Sequence, residues 1–482
     1  MADQALFAEP SLPRRAAASL AWTRPVAAGG FFVGVLAVLV RIAALPLSNT
    51  DTYFHLRFGS EFLHHWSLRH PGSVSTFATA HWLPTQWLSE VVMARTEEWF
   101  GLAGVAWLFG VQLVALMTTL YLVARRWLDP LLAVALTTAA LVAASKFLAM
   151  RPQVLSFLLV AVTTAAWMRT REDGRLRWWL IPLTWVWAMV HGMWPIGIGL
   201  GVIAVAGLAL DRVRTHEELV KALLVPLLSA AAAMATPVGP ALYGAVLGVG
   251  SRARYFSEWG TPDFTQPSCI VLGLMVGLTV ILFVRRGRAT WFDLALLLTA
   301  GACSVWSWRT VPVAAVMLVP LIAAHAGASA SRAASVRPGR VELGLIAGAL
   351  VVALGTLAAA VPATSDSPPA QPAWVDPALG SLVPGTEVVG ESDWGGYLMW
   401  RYPQLDLLMH GYGDTFTLTE LQRYTDIAGL APGWDDELRA TGVRIAVLRP
   451  SAPLAYALEH QLDWKVLHRS PTIEELQAPP GW

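Results

Sequence analysis

Eleven apolar runs restrict what this chain can fold into more than any other feature of its sequence. A helix of about 20 apolar residues spans the hydrocarbon core of a bilayer, where the backbone must satisfy its own hydrogen bonds. With 55% hydrophobic and 14% charged residues and a mean hydropathy of +0.52, the chain has lipid as its main solvent. The sequence predicts a polytopic α-helical membrane protein with about 11 transmembrane helices, near residues 26–46, 102–124, 129–145, 153–168, 178–191, 194–210, 219–236, 268–284, 291–308, 311–328 and 342–362.

Basic residues indicate how these helices are oriented. Eighteen lysines and arginines fall in segments that are cytoplasmic if the N-terminus is inside, and eight fall in the opposite segments. The positive-inside rule therefore predicts a cytoplasmic N-terminus, in what we expect to be a bacterial plasma membrane. The first run follows Arg14, Arg15 and Arg24 and is typical of a retained signal-anchor helix. An odd number of crossings then places the chain after residue 363 on the extracytoplasmic side.

The remaining segments predict the domain organisation. Residues 1–362 form the transmembrane domain, with long outer loops at 47–101 and 237–267, and loops of this length are usually functional. The Pro/Ser-rich segment 363–376 is a predicted linker. Residues 377–482 predict a small extracytoplasmic α/β domain, with TEVVG, LDLLMHG, GVRIAVLRP and WKVLHRS as strands and TLTELQRYTDIAGL, WDDELRAT and PLAYALEHQL as helices.

The segment NTDTYFHLR, which directly follows the first apolar run, carries the strongest local signal. In a helix, Asp51 and His55 share one face, with Arg57 nearby. Such a group could deprotonate a sugar hydroxyl, hold a divalent ion or bind a lipid-linked phosphate. Alternatively, Asn49 or Asp51 caps a helix and the other residues are ordinary interfacial side chains.

Two further polar islands lie in the outer loops. In the first loop, Trp87 and Glu90 suit carbohydrate binding, because indole rings pack on sugar faces while a carboxylate takes hydroxyls; the same pattern is typical of an interfacial aromatic belt. In the second loop, Glu258 or Asp263 could complete an acidic site with Asp51, and Arg252 and Arg254 could offset phosphate charge. The alternative for that loop is a solvated segment with internal ion pairs.

Ionisable residues also lie near the outer ends of predicted helices. Placing an ionisable side chain at membrane depth costs free energy, so the convergence of Arg151, His191 and Arg309 predicts a common polar cavity. Each of them could instead snorkel to the membrane surface. In the soluble domain, the run 391–397 predicts a compact turn that presents Asp393, Trp394 and Tyr397. This turn is either structural or an acceptor-binding loop.

Several function classes are excluded by what the sequence lacks. It contains no P-loop, GxGxxG, HExxH or GxSxG motif, which argues against an ATP-driven pump and the familiar hydrolases. The two cysteines, Cys269 and Cys303, lie in apolar runs and offer neither a disulfide framework nor a metal knuckle. A net charge of +1 gives no indication of a nucleic-acid partner.

Together these islands resemble the GT-C superfamily of multi-spanning glycosyltransferases, which includes oligosaccharyltransferase catalytic subunits and polyprenyl-phosphate-sugar transferases. DTYFHLR is similar to the start of the oligosaccharyltransferase outer loop, and SDWGGY is similar to the acceptor-reading motif of that family's soluble domain. Bacterial glycosyltransferase-like membrane proteins show the same series of segments, which here are FHLR at 54–57, QWLSE at 86–90, RPQ at 151–153, 187–192 ending in His-Gly, 258–264 and DWGGYL at 393–398.

The resemblance implies transfer of a sugar, with inversion, from a polyprenyl-phosphate donor to a lipid-linked or cell-envelope glycan acceptor on the outer face. Asp51 would be the general base. The implied catalytic residues are Asp51, His55, Glu90 and Glu258, and the implied substrate-binding residues are Arg57, Trp87, Arg151, His191, Arg254, Arg309, Asp393, Trp394 and Tyr397.

One departure from the family pattern concerns metal binding. Many members carry two adjacent acids in the first loop, whereas threonines flank Asp51 here. If Mg²⁺ or Mn²⁺ binds, Asp51 and Glu258 are the expected ligands, but no clear metal motif is present. The alternative function is a non-catalytic GT-C-like protein, such as a transporter, flippase or assembly factor for lipid-linked glycans.

Overall fold

A computed structural model describes residues 14–287, 289–327, 338–365, 368 and 371–482. Arg288, Arg332 and Arg337 of the predicted cytoplasmic segments, and 366, 367, 369 and 370 of the predicted linker, lie outside the described residues. The helices are α1 Arg14–Ala43, α2 Thr50–His64, α3 Trp87–Arg125, α4 Pro130–Ala144, α5 Gln153–Asp173, α6 Leu180–Val190, α7 Trp194–Leu210, α8 His216–Met234, α9 Ala241–Arg252, α10 Pro267–Arg286, α11 Trp291–Trp306, α12 Val311–Gly327, α13 Arg340–Thr364, α14 Val375–Gly380, α15 Ser392–Arg401, α16 Leu418–Ala428, α17 Trp434–Thr441 and α18 Pro453–Gln461.

Every predicted transmembrane run overlaps a helix of the structure. Within the described ranges, seven helices are long and apolar enough to cross a membrane: 24–43, 87–125, 130–147, 153–173, 267–286, 308–327 and 340–364. Helices α6, α7 and α11 are apolar but shorter, with 11, 17 and 16 residues. The protein is therefore an integral membrane protein, and eleven crossings stays a prediction.

The first predicted outer loop is largely helical. Helix α2 begins at Thr50 because the Asn49 side chain caps it, accepting a hydrogen bond from the Asp51 backbone N–H at 3.0 Å. Helix α3 begins before the membrane run and bends at Gly101, whose φ of 64° is the left-handed conformation that glycine adopts without strain. The predicted loop boundary at residue 101 coincides with this bend.

A glycine in α2 permits close packing against α3. A Cβ atom on Gly59 would lie 2.0 Å from the backbone oxygen of Glu90, so only glycine fits there. Helix α12 passes through the centre of the bundle, and its residues from 311 to 323 are buried. The outer-loop helices therefore rest on a packed core of apolar helices.

The C-terminal region contains a five-stranded sheet with strand order β2-β1-β3-β5-β4. Strand β1 pairs in parallel with β2 and β3, whereas β5 pairs antiparallel with β3 and β4. The bounds are β1 Glu387–Gly390, β2 Asp406–Leu407, β3 Ile445–Leu448, β4 Lys465–Arg469 and β5 Glu474–Gln477. Each segment predicted as a strand contains one. Strand β5 was not predicted, because its two buried glutamates make EELQ look solvent-exposed.

The turn predicted at 391–397 is wrong. Residues 392–401 form helix α15, and its two glycines permit close contacts instead of a turn. A Cβ atom on Gly395 would lie 2.4 Å from the Cα atom of His410, and one on Gly396 would lie 2.4 Å from the backbone oxygen of Thr50. Helix α15 therefore packs directly on the first turn of α2.

The sheet region and the first outer loop are joined by polar contacts. The Asp406 carboxylate accepts hydrogen bonds from the Ser75 hydroxyl at 2.8 Å and the Thr76 backbone N–H at 3.0 Å. Ala80 N–H donates to the Thr415 carbonyl at 3.0 Å. These contacts hold the sheet region against the membrane helices and close one side of the cavity described next.

Candidate functional site

A cavity of about 1020 Å³ lies between the membrane helices and the C-terminal region. Its walls come from the start of α2, the segment before α5, the turn between α6 and α7, the second outer loop and the start of α15. Nine of the thirteen predicted site residues line it: Asp51, His55, Arg151, His191, Glu258, Arg309, Asp393, Trp394 and Tyr397.

Arg151 joins the two outer loops at the centre of this cavity. Its guanidinium lies 3.0 Å from the Asp51 carboxylate and donates to both oxygens of Glu258 at 2.8 and 3.2 Å. The Thr52 hydroxyl donates to the Met150 carbonyl at 2.8 Å, which fixes the start of α2 beside the residue preceding Arg151. Asp51 and Glu258, 207 positions apart in the sequence, thereby share one cation.

Arg309 adds a second cation on the Glu258 side. Its Nε atom lies 3.4 Å from Glu258 Oε2, and its guanidinium lies 5.0 Å from the centre of the Trp259 ring. The Trp308 backbone N–H donates to the Gly260 carbonyl at 3.1 Å, so the second outer loop is tied to the start of α12. Two arginines and two carboxylates thus form a compact network.

Burial and these charges shift the carboxyl groups in opposite directions. Burial raises the pKa of Asp51, although the Arg151 guanidinium opposes the change. Burial also acts on Glu258, but Arg309 and Arg151 outweigh it and lower the pKa of that carboxyl. Asp51 is therefore the more basic of the two.

The carboxylates do not form a recognisable metal site. Within the described part of the chain, no three His, Cys, Asp or Glu side chains form a group that could hold a metal ion. Asp51 and Glu258, the expected ligands, are bridged by the Arg151 guanidinium. The donor set present does not fit a three-ligand divalent site.

His55 forms a buried pair with Glu90. His55 Nδ1 lies 3.0 Å from Glu90 Oε1, and the two side chains are 3% and 0% exposed. Burial, aided by Arg151 and His191, lowers the pKa of His55 far below its usual value, so the imidazole is neutral at pH 7. Burial also raises the pKa of Glu90 well above its usual value, so the neutral carboxyl donates its proton to Nδ1 and His55 carries its own proton on Nε2. Glu90 itself does not line the cavity and acts through His55.

A second buried histidine has the same arrangement. The Trp187 indole N–H donates to the Ser156 hydroxyl at 2.8 Å, and that hydroxyl lies 2.9 Å from His191 Nδ1. The Met193 backbone N–H also donates to Nδ1, at 3.4 Å. Because Nδ1 accepts, a neutral His191 carries its proton on Nε2 and can donate to a ligand.

Helix α15 contributes the outer rim of the cavity. Asp393 lies 3.1 Å from the Arg449 guanidinium, which stacks 5.5 Å above the Trp394 ring. Tyr397 packs edge-on against Tyr53 of α2, with ring centres 5.1 Å apart. The rim therefore combines flat aromatic surfaces with an exposed ion pair.

The structure does not bring Arg57, Trp87, Arg254 or Glu90 to the cavity surface. Arg57 pairs with Glu61 one turn along α2, at 2.8 Å. Trp87 begins α3 with its indole nitrogen buried, and the exposed Arg254 stacks on Tyr255. Spacing along the chain cannot distinguish these positions, because it does not say which face of a loop helix points inward.

Arg252, which the sequence offered with Arg254 as a cation for phosphate, also lines the cavity. Sequence reasoning missed three lining residues of the C-terminal region: Tyr412, Asp414 and Arg449. The only local signal for Tyr412 and Asp414 is the run HGYGD, in which glycines flank polar side chains. Their convergence on α2 results from the contacts between the sheet region and the first loop.

Comparison with known proteins identifies the fold. No family model matches the chain, and no curated protein matches it in sequence. It is similar to ArnT from Cupriavidus metallidurans in the apo state, with a TM-score of 0.53, 17% identity and coverage of 96% of this chain and 100% of that chain. The same enzyme bound to undecaprenyl phosphate gives a TM-score of 0.52, 16% identity and coverage of 93% and 98%.

A second neighbour is the archaeal oligosaccharyltransferase AglB from Archaeoglobus fulgidus, in complex with an inhibitory peptide and a dolichol-phosphate. Its TM-score is 0.51 at 11% identity, with coverage of 89% of this chain and 70% of that chain. Both neighbours are GT-C glycosyltransferases. The predicted resemblance to GT-C proteins is confirmed at the level of the fold.

Proposed function

We propose that this protein transfers a sugar from a polyprenyl-phosphate donor to a glycan or glycolipid acceptor on the extracytoplasmic face, with Asp51 as general base. The observation that carries the proposal is the Arg151 network, in which two cations and a basic carboxylate meet inside one large cavity. The GT-C fold supports it, since ArnT with this fold was solved with undecaprenyl phosphate.

The network suits the two halves of such a reaction. The acceptor hydroxyl attacks the anomeric carbon, its proton passes to Asp51, and the bond from that carbon to the phosphate oxygen breaks. Arg151 and Arg309 stabilise the negative charge on the departing polyprenyl phosphate. Because a bound phosphate competes with Asp51 for the Arg151 guanidinium, donor binding would release the base when it is needed.

Neutral histidines complete this arrangement. His55, one helical turn from Asp51, and His191 each present an Nε2–H donor. Neither needs to carry charge, so the positive potential at the phosphate comes from the two arginines. We therefore assign His55 to orienting the acceptor hydroxyl and His191 to hydrogen bonding with the donor.

The non-catalytic alternative requires a polar path across the bundle. The central helix offers none along its own length, because α12 carries only apolar residues and two prolines from Val311 to Ala324. At its far end, His325 Nε2 lies 3.2 Å from the buried Asp293, which also binds Arg171 at 2.7 Å. That cluster is packed between helices, which favours the enzyme over a transporter.

The test compares lipid-linked and envelope glycans, by mass spectrometry, in cells that lack the gene and in cells complemented with variants. We expect wild-type protein to restore a glycan that is absent from the deletion strain, and Asp51→Asn to fail at equal expression. Arg57→Gln is the matched control, because this cation neighbours Asp51 in sequence but lies outside the cavity. Restoration by Asp51→Asn would rule out the assigned base, and an unchanged glycan profile in the deletion strain would rule out the transferase.

A further inference from the structure

Asp414 differs from the other carboxylates of the cavity. Asp51 and Glu258 are bound by Arg151, and Asp393 is bound by Arg449. Among the residues that the structure describes, Asp414 has neither an ion pair nor a hydrogen bond to its carboxylate, yet it lines the same cavity. The described residues thus supply no direct partner for this carboxyl group.

The backbone around Asp414 is held rigidly from both outer loops. It lies in the 3₁₀ turn Gly413–Thr415, whose last carbonyl accepts the Ala80 N–H of the first loop at 3.0 Å. A Cβ atom on Gly413 would lie 2.3 Å from the Phe256 ring of the second loop. The carboxylate therefore cannot easily move toward a distant protein cation, and its position is set in advance.

The cations nearest to the Asp414 carboxylate do not bind it directly, so a ligand could do so. Burial raises the pKa of Asp414, and Arg252 and Arg309 oppose this from beyond ion-pair distance. The Arg252 guanidinium is directed at the Phe416 carbonyl, at 3.4 Å. Removing an ionised carboxylate from water costs free energy unless hydrogen-bond donors replace the lost water.

We propose that Asp414 binds the acceptor of the reaction through hydroxyl or protonated amine groups of a sugar. This proposal rests on the proposed function and deepens it. The donor's phosphate would bind at Arg151 and Arg309, whereas the hydroxyl or amine groups of the acceptor sugar would hydrogen bond to Asp414, a carboxylate that repels phosphate. Tyr412 beside Asp414 is suited to the same ligand. The Gln86 amide donates to the Tyr412 hydroxyl oxygen at 3.3 Å, so the hydroxyl proton remains free to hydrogen bond to an oxygen of the bound sugar. The C-terminal region thereby contributes directly to substrate choice.

The first test measures the carboxylate without relying on turnover. Purified full-length protein is treated with a water-soluble carbodiimide and glycine ethyl ester, and modified peptides are quantified by mass spectrometry. We expect Asp414 to be modified at least about threefold faster than Asp51 or Glu258, because the latter are held by arginine. An organic extract of envelope glycolipids should slow modification of Asp414, whereas equal modification rates for the three carboxyls, or no protection by the extract, would overturn the assignment.

The second test uses Asp414→Asn, with Asp436→Asn on the exposed face of α17 as the matched control. We expect Asp414→Asn to bind undecaprenyl phosphate within about twofold of wild type but to lose about tenfold or more of the glycan product, the loss typical of a hydrogen bond to a charged group. Asp436→Asn should retain the product, because this carboxylate lies outside the cavity. Full product from Asp414→Asn would overturn the proposal. If wild-type protein makes no glycan, the proposed function and the acceptor role of Asp414 are both refuted. The labelling experiment does not depend on turnover, and it decides separately whether Asp414 is an unpaired carboxylate that binds a ligand.

Discussion

Gly396 does not line the cavity, but Gly396→Ala should disturb the site because the added methyl group displaces α2. The new methyl group would lie 2.4 Å from the Thr50 backbone oxygen and 3.2 Å from the Phe54 ring. Because Cβ atoms essentially never approach closer than 3.0 Å, α15 and α2 must separate by more than about half an ångström. The obstructing atom is the backbone of a capped helix and cannot rotate away.

Two opposing terms set the sign of the stability change. Alanine in a helix interior gains about 1 kcal/mol over glycine, whereas overpacking a tight contact costs about 1–3 kcal/mol. We therefore expect a net loss of up to about 2 kcal/mol and a fall of up to about 5 °C in the apparent Tm of the detergent-solubilised protein. Gly348→Ala in α13 is the control, because nothing lies within 4 Å of its Cβ position and it should not lower the Tm.

The functional consequence should exceed the loss of stability. Thr50 immediately precedes Asp51, so a displacement of this turn also displaces the proposed base. A misplacement approaching 1 Å reduces the rate of a positioned reaction by up to about 100-fold, and complementation of the deletion strain would measure it. An unchanged Tm together with full glycan restoration would refute both the close contact and its role in placing Asp51.

Three other perturbations test separate parts of the structure. Burial lowers the pKa of His410 to about 3, whereas the unfolded chain binds that proton near pH 6.5, so the free energy of unfolding should fall as the pH drops between these values. His410→Gln should flatten the pH dependence of this free energy by up to about 1.4 kcal/mol per pH unit, which thermal unfolding at several pH values would measure. Asp406→Asn should destabilise the protein by about 1.5–3 kcal/mol in thermal unfolding, because the carboxylate accepts hydrogen bonds from two first-loop residues, whereas the exposed Asp436→Asn should have little effect. Imidazole nitrogen NMR should place the His55 proton on Nε2 in both the wild type and Glu90→Gln, because a carboxyl O–H or an amide N–H donates to Nδ1, and a proton on Nδ1 in the wild type would contradict the assigned pair.

Much of the architecture follows from local sequence patterns. Each predicted transmembrane run overlaps a helix, because hydropathy over some 20 residues responds directly to the solvent that a segment must occupy. The cap at Asn49 and the bend at Gly101 are likewise readable from single residues. The run 391–397 was misassigned because glycine pairs occur both in turns and in close helix contacts, and only the neighbour at Thr50 distinguishes them.

The sequence by itself determined that this chain is a membrane helical protein with polar islands outside the apolar runs, and it picked out Asp51, Arg151 and Glu258 by their chemistry. Only the tertiary structure decided which islands meet. Arg57 and Asp51 lie six residues apart yet face different surroundings, whereas Asp414 reaches the cavity from the opposite end of the chain. The physical reason is that burial and pairing of a charged group depend on which elements pack against it, and these contacts join residues hundreds of positions apart.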